Sequence, residues 1–487
     1  MNLYIIKLLT FILLILPPLL LLTLHSLYYL VGIARKRQKG HLRVISDKNN
    51  VTSLSKNHRL SIVIPVKNEP IELIVSALKH LSMLKPELGD DHEVLIISDD
   101  PPEAAARIAG IVNEKAKKYH LNVKFVNRDE GPPGRAAALN YGVLKASGDL
   151  ILILDVDSRP TEGYISKLIE CIDSGFDACV GRWSGYWLKS TKLARSIAAS
   201  MKFIVDTIYR GRAILKLFTF PLGSGTLFKR ESLLRVGLWD PTVIQDDMYI
   251  GSKFLSTGLK VGYVDDAEVK VLVPSTYGAL KIQQSRWAFG ATNVLRRMFK
   301  HIVKAPYPML RKLEAILFLA QYLPQAILGL SLFVIPILTI TLNNDIVFLN
   351  VWASGLIFAL IGLYGLLYYH SLRHSNVFKL LGASKLKLVR LMGTSGALTL
   401  TLSPLILYYF SKGLISKTMS YRITPKGSRE NIFTSAFKIE RLLTVILTIF
   451  LILMTIRGHA LFTILWTLIC IVAFIYVQTN AEKHVEL

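Results

Sequence analysis

Cysteine is nearly absent from this chain of 487 residues, which has three, Cys171, Cys179 and Cys470. They are too few and too scattered for a disulfide framework or a zinc site, and ordinary packing is expected for all three. Acidic residues are also scarce: 34 Asp and Glu stand against 58 Lys and Arg, for a formal net charge of +24. A nucleic-acid binder can carry such an excess. Here, however, the basic residues cluster beside long apolar runs, which fits cytoplasmic loops against an anionic membrane surface. No nucleic-acid partner is expected. Polarity is low throughout, with 52% hydrophobic residues and a mean hydropathy of +0.41. That excludes a purely soluble protein.

Several runs approach the roughly 20 apolar residues that cross a bilayer. Residues 8–33 are nearly all apolar, interrupted by Pro17, Pro18, His25 and Ser26, and Arg35-Lys-Arg-Gln-Lys39 follows at once. A secretory signal has a shorter apolar region and its basic residues first. The segment therefore reads as an uncleaved anchor, N-terminus outside, with the chain cytoplasmic from residue 35. Further spans are expected at 313–338, 346–369, 442–456 and 461–477. Residues 388–410 are apolar enough to span, but basic segments flank them on both sides and Gly, Thr and Ser interrupt them. Crossing once would leave one basic segment outside, so this stretch is expected along the cytoplasmic interface. The result is an integral protein of the cell membrane with about five spans and its soluble part cytoplasmic.

Between the first two spans the pattern changes. Short apolar runs at 60–65, 93–98, 123–126 and 150–154 alternate with helical periodicity at 71–84, 104–119 and 135–146, after a polar linker around 49–57. Strands alternating with helices predict a largely parallel sheet covered on both faces. Ligands of such sheets lie across the carboxyl ends of the strands. Lys67, Asn68, Glu69, Asp99 and Asp100 fall on that edge. So do Asp155 and Asp157, which follow the run Leu150-Ile-Leu-Ile-Leu154. Val156 points away and the two carboxylates point the same way, because side chains alternate along a strand. Two convergent carboxylates repel unless a cation joins them, and one or two carboxylates completed by water and phosphate oxygens suit magnesium or manganese. An acidic turn without a ligand is the plainer alternative.

Farther along, Pro221-Leu-Gly-Ser-Gly-Thr226 offers close backbone approach to a ligand. Asp246 and Asp247 open a helix, where carboxylates also serve simply as dipole partners. Gln283, Arg286 and Trp287 share one helix face by their spacing. Arg forks onto phosphate oxygens, and Trp offers a flat face to a sugar; a snorkelling Arg and an interfacial Trp are the structural alternative.

Taken in order, these residues resemble the family 2 glycosyltransferases, in particular the processive membrane-embedded branch of cellulose and hyaluronan synthases. That pattern has an early Asp, a DxD, a TED-like acid and QxxRW, here Asp99 or Asp100, Asp155-Val-Asp157, Gln245-Asp246-Asp247 and Gln283-Gln-Ser-Arg286-Trp287. Tyr421-Arg-Ile-Thr424-Pro-Lys426 further resembles the family's gating-loop pattern, which follows an interfacial helix there. The resemblance covers about 60–430. It implies an α/β nucleotide-sugar transferase domain of the GT-A type, with a mixed, mostly parallel sheet, inserted between transmembrane helices. The implied boundaries are an anchor (1–34), a basic linker (35–59), the catalytic domain (60–300), an interfacial helix with two spans (301–370), an interfacial helix with a gating loop (371–440), and two spans with a short tail (441–487).

The resemblance also implies roles. The implied activity is inverting transfer from a nucleotide-diphospho sugar, often UDP-linked, to a glycan or glycolipid, extending a polysaccharide and threading it through the spans; addition of a single sugar to a lipid or polyprenyl phosphate is the alternative. Asp99 or Asp100 meets the base, with Glu69 on the same edge. Asp155 touches the nucleotide, and Asp157 with it holds Mg2+ or Mn2+. Asp247 is the general base. Gln283 and Arg286 hold the diphosphate, Trp287 stacks on the acceptor, and Thr424 and Lys426 close over the nucleotide. Departures are Gln245 and Asp246 for the usual Thr and Glu, and Arg135 for the usual Lys, which keeps a cation. No cyclic-dinucleotide-sensing domain is expected after the last span. A catalytically inactive membrane scaffold is the reading from another class; it gives no reason to retain Asp155, Asp157, Asp247 and Arg286 together.

Overall fold

A computed structural model describes residues 3–36, 58–88, 91–128, 130–347, 350–380, 382, 384–420, 422–432, 436–458 and 460–485. The linker 49–57, most of the basic cluster after the first apolar run, and Tyr421 lie outside the described residues. The expected strands are present: β1 (Leu60–Val66), β2 (Glu93–Ser98), β3 (Val123–Asn127) and β4 (Leu150–Ile153). After them come the short β5 (Arg159–Pro160), then β6 (Ala178–Tyr186), β7 (Thr226–Lys229) and β8 (Val261–Leu272). The sheet order is β3-β2-β1-β4-β7-β6-β8-β5. β1 runs parallel to both β2 and β4, whereas β7 is antiparallel to β4 and β6. β1, β2 and β4 are buried almost throughout, as continuous Val, Ile and Leu runs require when helices cover both faces. The order reverses between β1 and β4, and a crevice opens outside their carboxyl ends at that point.

Cys171 and Cys179 are joined by a disulfide, which corrects the expectation of ordinary packing; Cys470 is free and buried. The helix Tyr164–Asp173 turns straight back into β6 and brings the two Cα atoms to 6.2 Å. A separation of eight residues carries no such signal until that reversal is known.

Six helices among the described residues are long and apolar enough to cross a membrane. Five correspond to the expected spans and the sixth is Lys385–Ile415. The run 313–338 is not one helix: Met309–Leu319 ends, and Leu323–Leu342 begins with Pro324 in its first turn. A proline there has no N–H to contribute to a continuing helix, yet suits the start of a new one. The helix Lys385–Ile415 packs against the apolar helices Leu323–Leu342 and Leu461–Asn480 as well as against the sheet domain. Near its start Leu391 O accepts from Ser196 Oγ at 2.9 Å, and just past its end Ser416 O accepts from Asn293 Nδ2 at 3.0 Å.

A buried ion pair joins the helix Met309–Leu319, which precedes the apolar helix Leu323–Leu342, to the sheet domain. Arg212 donates through Nε and an Nη to the two oxygens of Glu314 at 2.6 and 2.8 Å, and its guanidinium stands 4.2 Å from the Phe318 ring centroid. Both residues are buried. Removing one member of such a pair strands a charge in a low-dielectric site, at a loss of about 3–5 kcal/mol. Arg212→Met is therefore expected to lower the thermal unfolding midpoint sharply in detergent, with Arg212→Met/Glu314→Leu recovering much of the loss. Equal midpoints for wild type and the single variant would remove this anchor.

Candidate active site

The crevice at the sheet reversal is a cavity of about 500 Å³. Asp99, Asp155 and Asp157 reach it from strand ends, and Asp246 and Asp247 from the start of the helix Asp246–Thr257. Gln283, Arg286 and Trp287 reach it from the helix Tyr277–Lys304, and Thr424 and Lys426 from the segment beyond Lys385–Ile415. Glu69 and Arg135 complete the set. Every candidate residue thus lines one space except Asn68 and Asp100. The Asp100 carboxylate is engaged by the Asn68 amide at 2.5 Å and Ser98 Oγ at 2.9 Å, so it braces the loop after β1. Asp99 is the cavity-facing member of the pair.

Arg135 organises the acids. It opens the helix Arg135–Lys145 and donates through Nε and Nη2 to Asp155 Oδ1 at 3.1 and 2.9 Å. It also pairs with Asp246 and donates to the Gly223 carbonyl. The shortened acid at 246 is thus the far end of a bridge from the turn after β4 to the helix that opens with Asp246 and Asp247. Burial disfavours the Asp155 carboxylate, but the charges of Arg135 and Lys426 outweigh it and hold the group below the usual range. The turn itself is braced: Ser224 Oγ accepts from the Asp155 amide at 2.8 Å, and the Asp157 carbonyl accepts from Tyr186 Oη at 2.7 Å. Gly225, at φ +85°, lets the 221–226 loop make that approach.

Asp247 sits differently. Its Oδ1 accepts from Gln245 Nε2 at 2.8 Å and from the Met248 amide at 2.7 Å, both neutral donors. Burial pushes its carboxyl above the usual range, and those bonds only partly offset it. Gln245 is held by the QxxRW-bearing helix: a Cβ added at Gly290 would lie 2.6 Å from Gln245 Cβ, so only glycine permits this approach.

Lys426 Nζ lies 3.2 Å from Asp157 Oδ2 and 3.2 Å from Glu69 Oε1. Burial alone would favour a neutral amine, but Asp157 and Glu69 outweigh it and hold the ammonium charged well above the usual lysine range. A cation therefore already belongs between these carboxylates. Thr424 is buried, and its hydroxyl has no hydrogen-bond partner. A buried polar atom facing a cavity without a partner marks a place for a ligand's polar group. Among the described residues no cluster of three or more His, Cys, Asp or Glu forms a full metal shell. A hard cation bound through one or two carboxylates, with phosphate oxygens and water as its remaining ligands, needs no more. Asp157 fits that role; Asp155 turns one oxygen to Arg135.

Two contributors carry no motif. Arg128, one residue past β3, forks onto Asp99 with a closest approach of 2.7 Å; its place at a strand end is the only signal. Trp183, in β6, lines the cavity and donates to the Ser224 carbonyl at 2.8 Å; nothing in its local sequence distinguishes it from a packed strand residue.

The sequence matches the family described as glycosyl transferase family 2 over residues 61–237 and glycosyl transferase family group 2 over 150–477. It is 35% identical over 374 residues to a Sulfolobus acidocaldarius protein named "Probable glycosyltransferase", covering 76% of this chain and 77% of that one. It is 27% identical over 282 residues to the Staphylococcus aureus poly-beta-1,6-N-acetyl-D-glucosamine synthase, covering 57% of this chain and 66% of the synthase. The mannosyltransferase PcManGT of Pyrobaculum calidifontis, solved with GDP-Man and Mn2+, is a distant structural likeness: TM-score 0.46, 19% identity, 82% of this chain and 98% of that one.

The elevated Asp247 carboxyl has a consequence for stability. Below the unfolded value, ~3.9, both states are protonated and the group is neutral in the balance. As pH rises past it, the unfolded chain releases its proton first, so stability falls until the folded carboxyl also ionises. Asp247→Asn keeps the acceptor oxygen and cannot ionise. It is expected to unfold at a higher temperature than wild type at neutral pH, with the difference shrinking toward pH ~4. A difference independent of pH would place the Asp247 carboxyl within the ordinary range.

Proposed function

The chain belongs to glycosyltransferase family 2 and is a glycosyltransferase; on that premise we propose that it moves a sugar with inversion from a nucleotide diphosphate, UDP by preference, to a glycan hydroxyl at the cytoplasmic face of the cell membrane, and does so repeatedly. One observation carries this reading: the acids, the Gln283–Arg286–Trp287 face and the Thr424–Lys426 segment line a single cavity.

The proton path is short. Asp247, raised by burial toward the working pH, accepts the acceptor hydroxyl's proton as its oxygen bonds to the anomeric carbon. The bond from that carbon to the phosphate oxygen breaks, and its electron pair leaves with the diphosphate. Gln283 and Arg286 hold the diphosphate, and Lys426 and the Thr424 hydroxyl approach it from the other side. Trp287 gives the acceptor sugar a flat face. Asp157, with Asp155 beside it, would hold magnesium or manganese, which supplies positive charge to the departing diphosphate. Asp99, steadied by Arg128, faces the base.

A second reading has an observation of its own. Aliphatic side chains, Ile197, Ile204, Leu398 and Leu402 among them, line the cavity beside polar ones, which would suit an acceptor carried on a lipid.

Purified protein in lipid vesicles, given a panel of labelled nucleotide sugars with Mg2+ or Mn2+, is expected to build a high-molecular-weight product from one donor. A small, organic-extractable product would replace repeated addition with single transfer. Asp247→Asn should reduce transfer by roughly 10²–10⁴ while nucleotide binding persists. Undiminished transfer would remove Asp247 as the base. In wild type the acid limb of the rate profile should lie above the ordinary carboxylate value, ~4.

A further inference from the structure

Asp99 reaches the cavity from the end of β2, yet most of its carboxylate is already in use. Arg128 donates through Nε to Oδ1 at 2.9 Å and through Nη2 to Oδ2 at 2.8 Å, a fork laid across both oxygens. Such a fork takes the two lone pairs that point the same way, one from each oxygen. The Gly134 amide takes a further lone pair of Oδ2, at 2.8 Å. A carboxylate has about four acceptor positions, so one remains, on Oδ1. The guanidinium is itself held in place. Its Nη1 donates to the Glu130 carbonyl at 3.1 Å and its Nη2 to the Pro132 carbonyl at 3.0 Å. Gly131 and Gly134, at φ +84° and +131°, allow the loop before the helix Arg135–Lys145 to wrap it in this way. The Arg128 and Asp99 side chains are only 5% and 6% exposed, so the pair does not exchange freely with water.

We infer that Arg128 determines the base of the donor, and that by occupying both oxygens of Asp99 it favours uridine diphosphate over guanosine diphosphate. Uracil presents a single ring N–H, and the one position left on Asp99 Oδ1 accepts it. Guanine presents a ring N–H and an amino group side by side. A carboxylate matches that edge by offering two lone pairs that point the same way, and Arg128 holds those two. Guanine at this place would leave one donor facing a guanidinium, which has no acceptor to offer. A donor left unpaired in a buried site is unfavourable. Arg128 does not line the cavity itself; it acts on the base through Asp99. The inference rests on the glycosyl-transfer reading, in which Asp99 faces the base, and adds what fixes the choice of base.

Calorimetric titration of the full chain in nanodiscs with UDP and, separately, with GDP, each with Mn2+, reads the two dissociation constants. Wild type is expected to bind UDP about tenfold or more tighter than GDP. Arg128→Met frees both oxygens of Asp99 and should bring the ratio close to one, with GDP gaining in absolute affinity. Arg128→Lys keeps the charge and the fold but not the fork, and should move the ratio the same way by a smaller factor. It carries the test should the methionine variant not fold. Wild type binding GDP as well as UDP would overturn the inference. So would variants that weaken both nucleotides by one factor and leave the ratio unchanged, since that is the mark of a support with no part in selection. A wild type that binds neither nucleotide would sink the transfer reading itself, a failure seen before any variant is made.

Discussion

Six carboxylates gather where the strand ends meet the start of the helix Asp246–Thr257, and the site depends on how their mutual repulsion is relieved. Asp99, Asp155, Asp157, Asp246, Asp247 and Glu69 line the same cavity. Three cations divide the work. Arg128 holds Asp99, Arg135 joins Asp155 to Asp246, and Lys426 lies between Asp157 and Glu69. Asp247 accepts from two neutral donors, Gln245 and Met248, and burial outweighs them and keeps its carboxyl elevated. Pairs of acids pushed apart by their surroundings are how one site holds a charged binder and a proton acceptor together.

That arrangement persists because its elements are tied from outside. The first turn of Tyr277–Lys304 receives acids from three distant segments. The Ser275 amide donates to Glu430, the Tyr277 amide to Glu482, and Lys281 Nζ to Glu440, at 2.8, 2.6 and 2.8 Å. Acids at a helix start also suit its dipole. The helix carrying Gln283, Arg286 and Trp287 is thus fixed to the segment carrying Lys426 and to the last membrane helices. The Arg212–Glu314 pair does the same between the sheet domain and the helix Met309–Leu319. The charged cavity and the apolar helices therefore share their supports, and side chains from both line one space.

Much of this was legible in residue order. The runs at 60–65, 93–98 and 150–154 became buried strands, since short continuous apolar segments bounded by turn residues suit a sheet covered on both faces. The acids and Gln283–Arg286–Trp287 were identifiable from spacing and resemblance. Other features were not. Spacing could not separate Asp99 from Asp100, since both follow β2; the loop carrying Asn68 decides which one turns inward. Cys171 and Cys179 meet only through a chain reversal, and residues 313–338 read as one apolar run although Pro324 starts a second helix.

Local sequence was enough for strands, helices, apolar spans and the chemical types at the site, because each follows from periodicity and side-chain character over a few residues. Folding was needed to choose charge partners and cavity walls. Arg135 and Asp246 are 111 positions apart, and Lys426 and Glu69 are 357 apart. Ile204 and Leu402 likewise come from helices far apart in the chain. Which cation meets which acid, and which apolar faces meet around a gap, depends on long-range packing that no short stretch of sequence encodes.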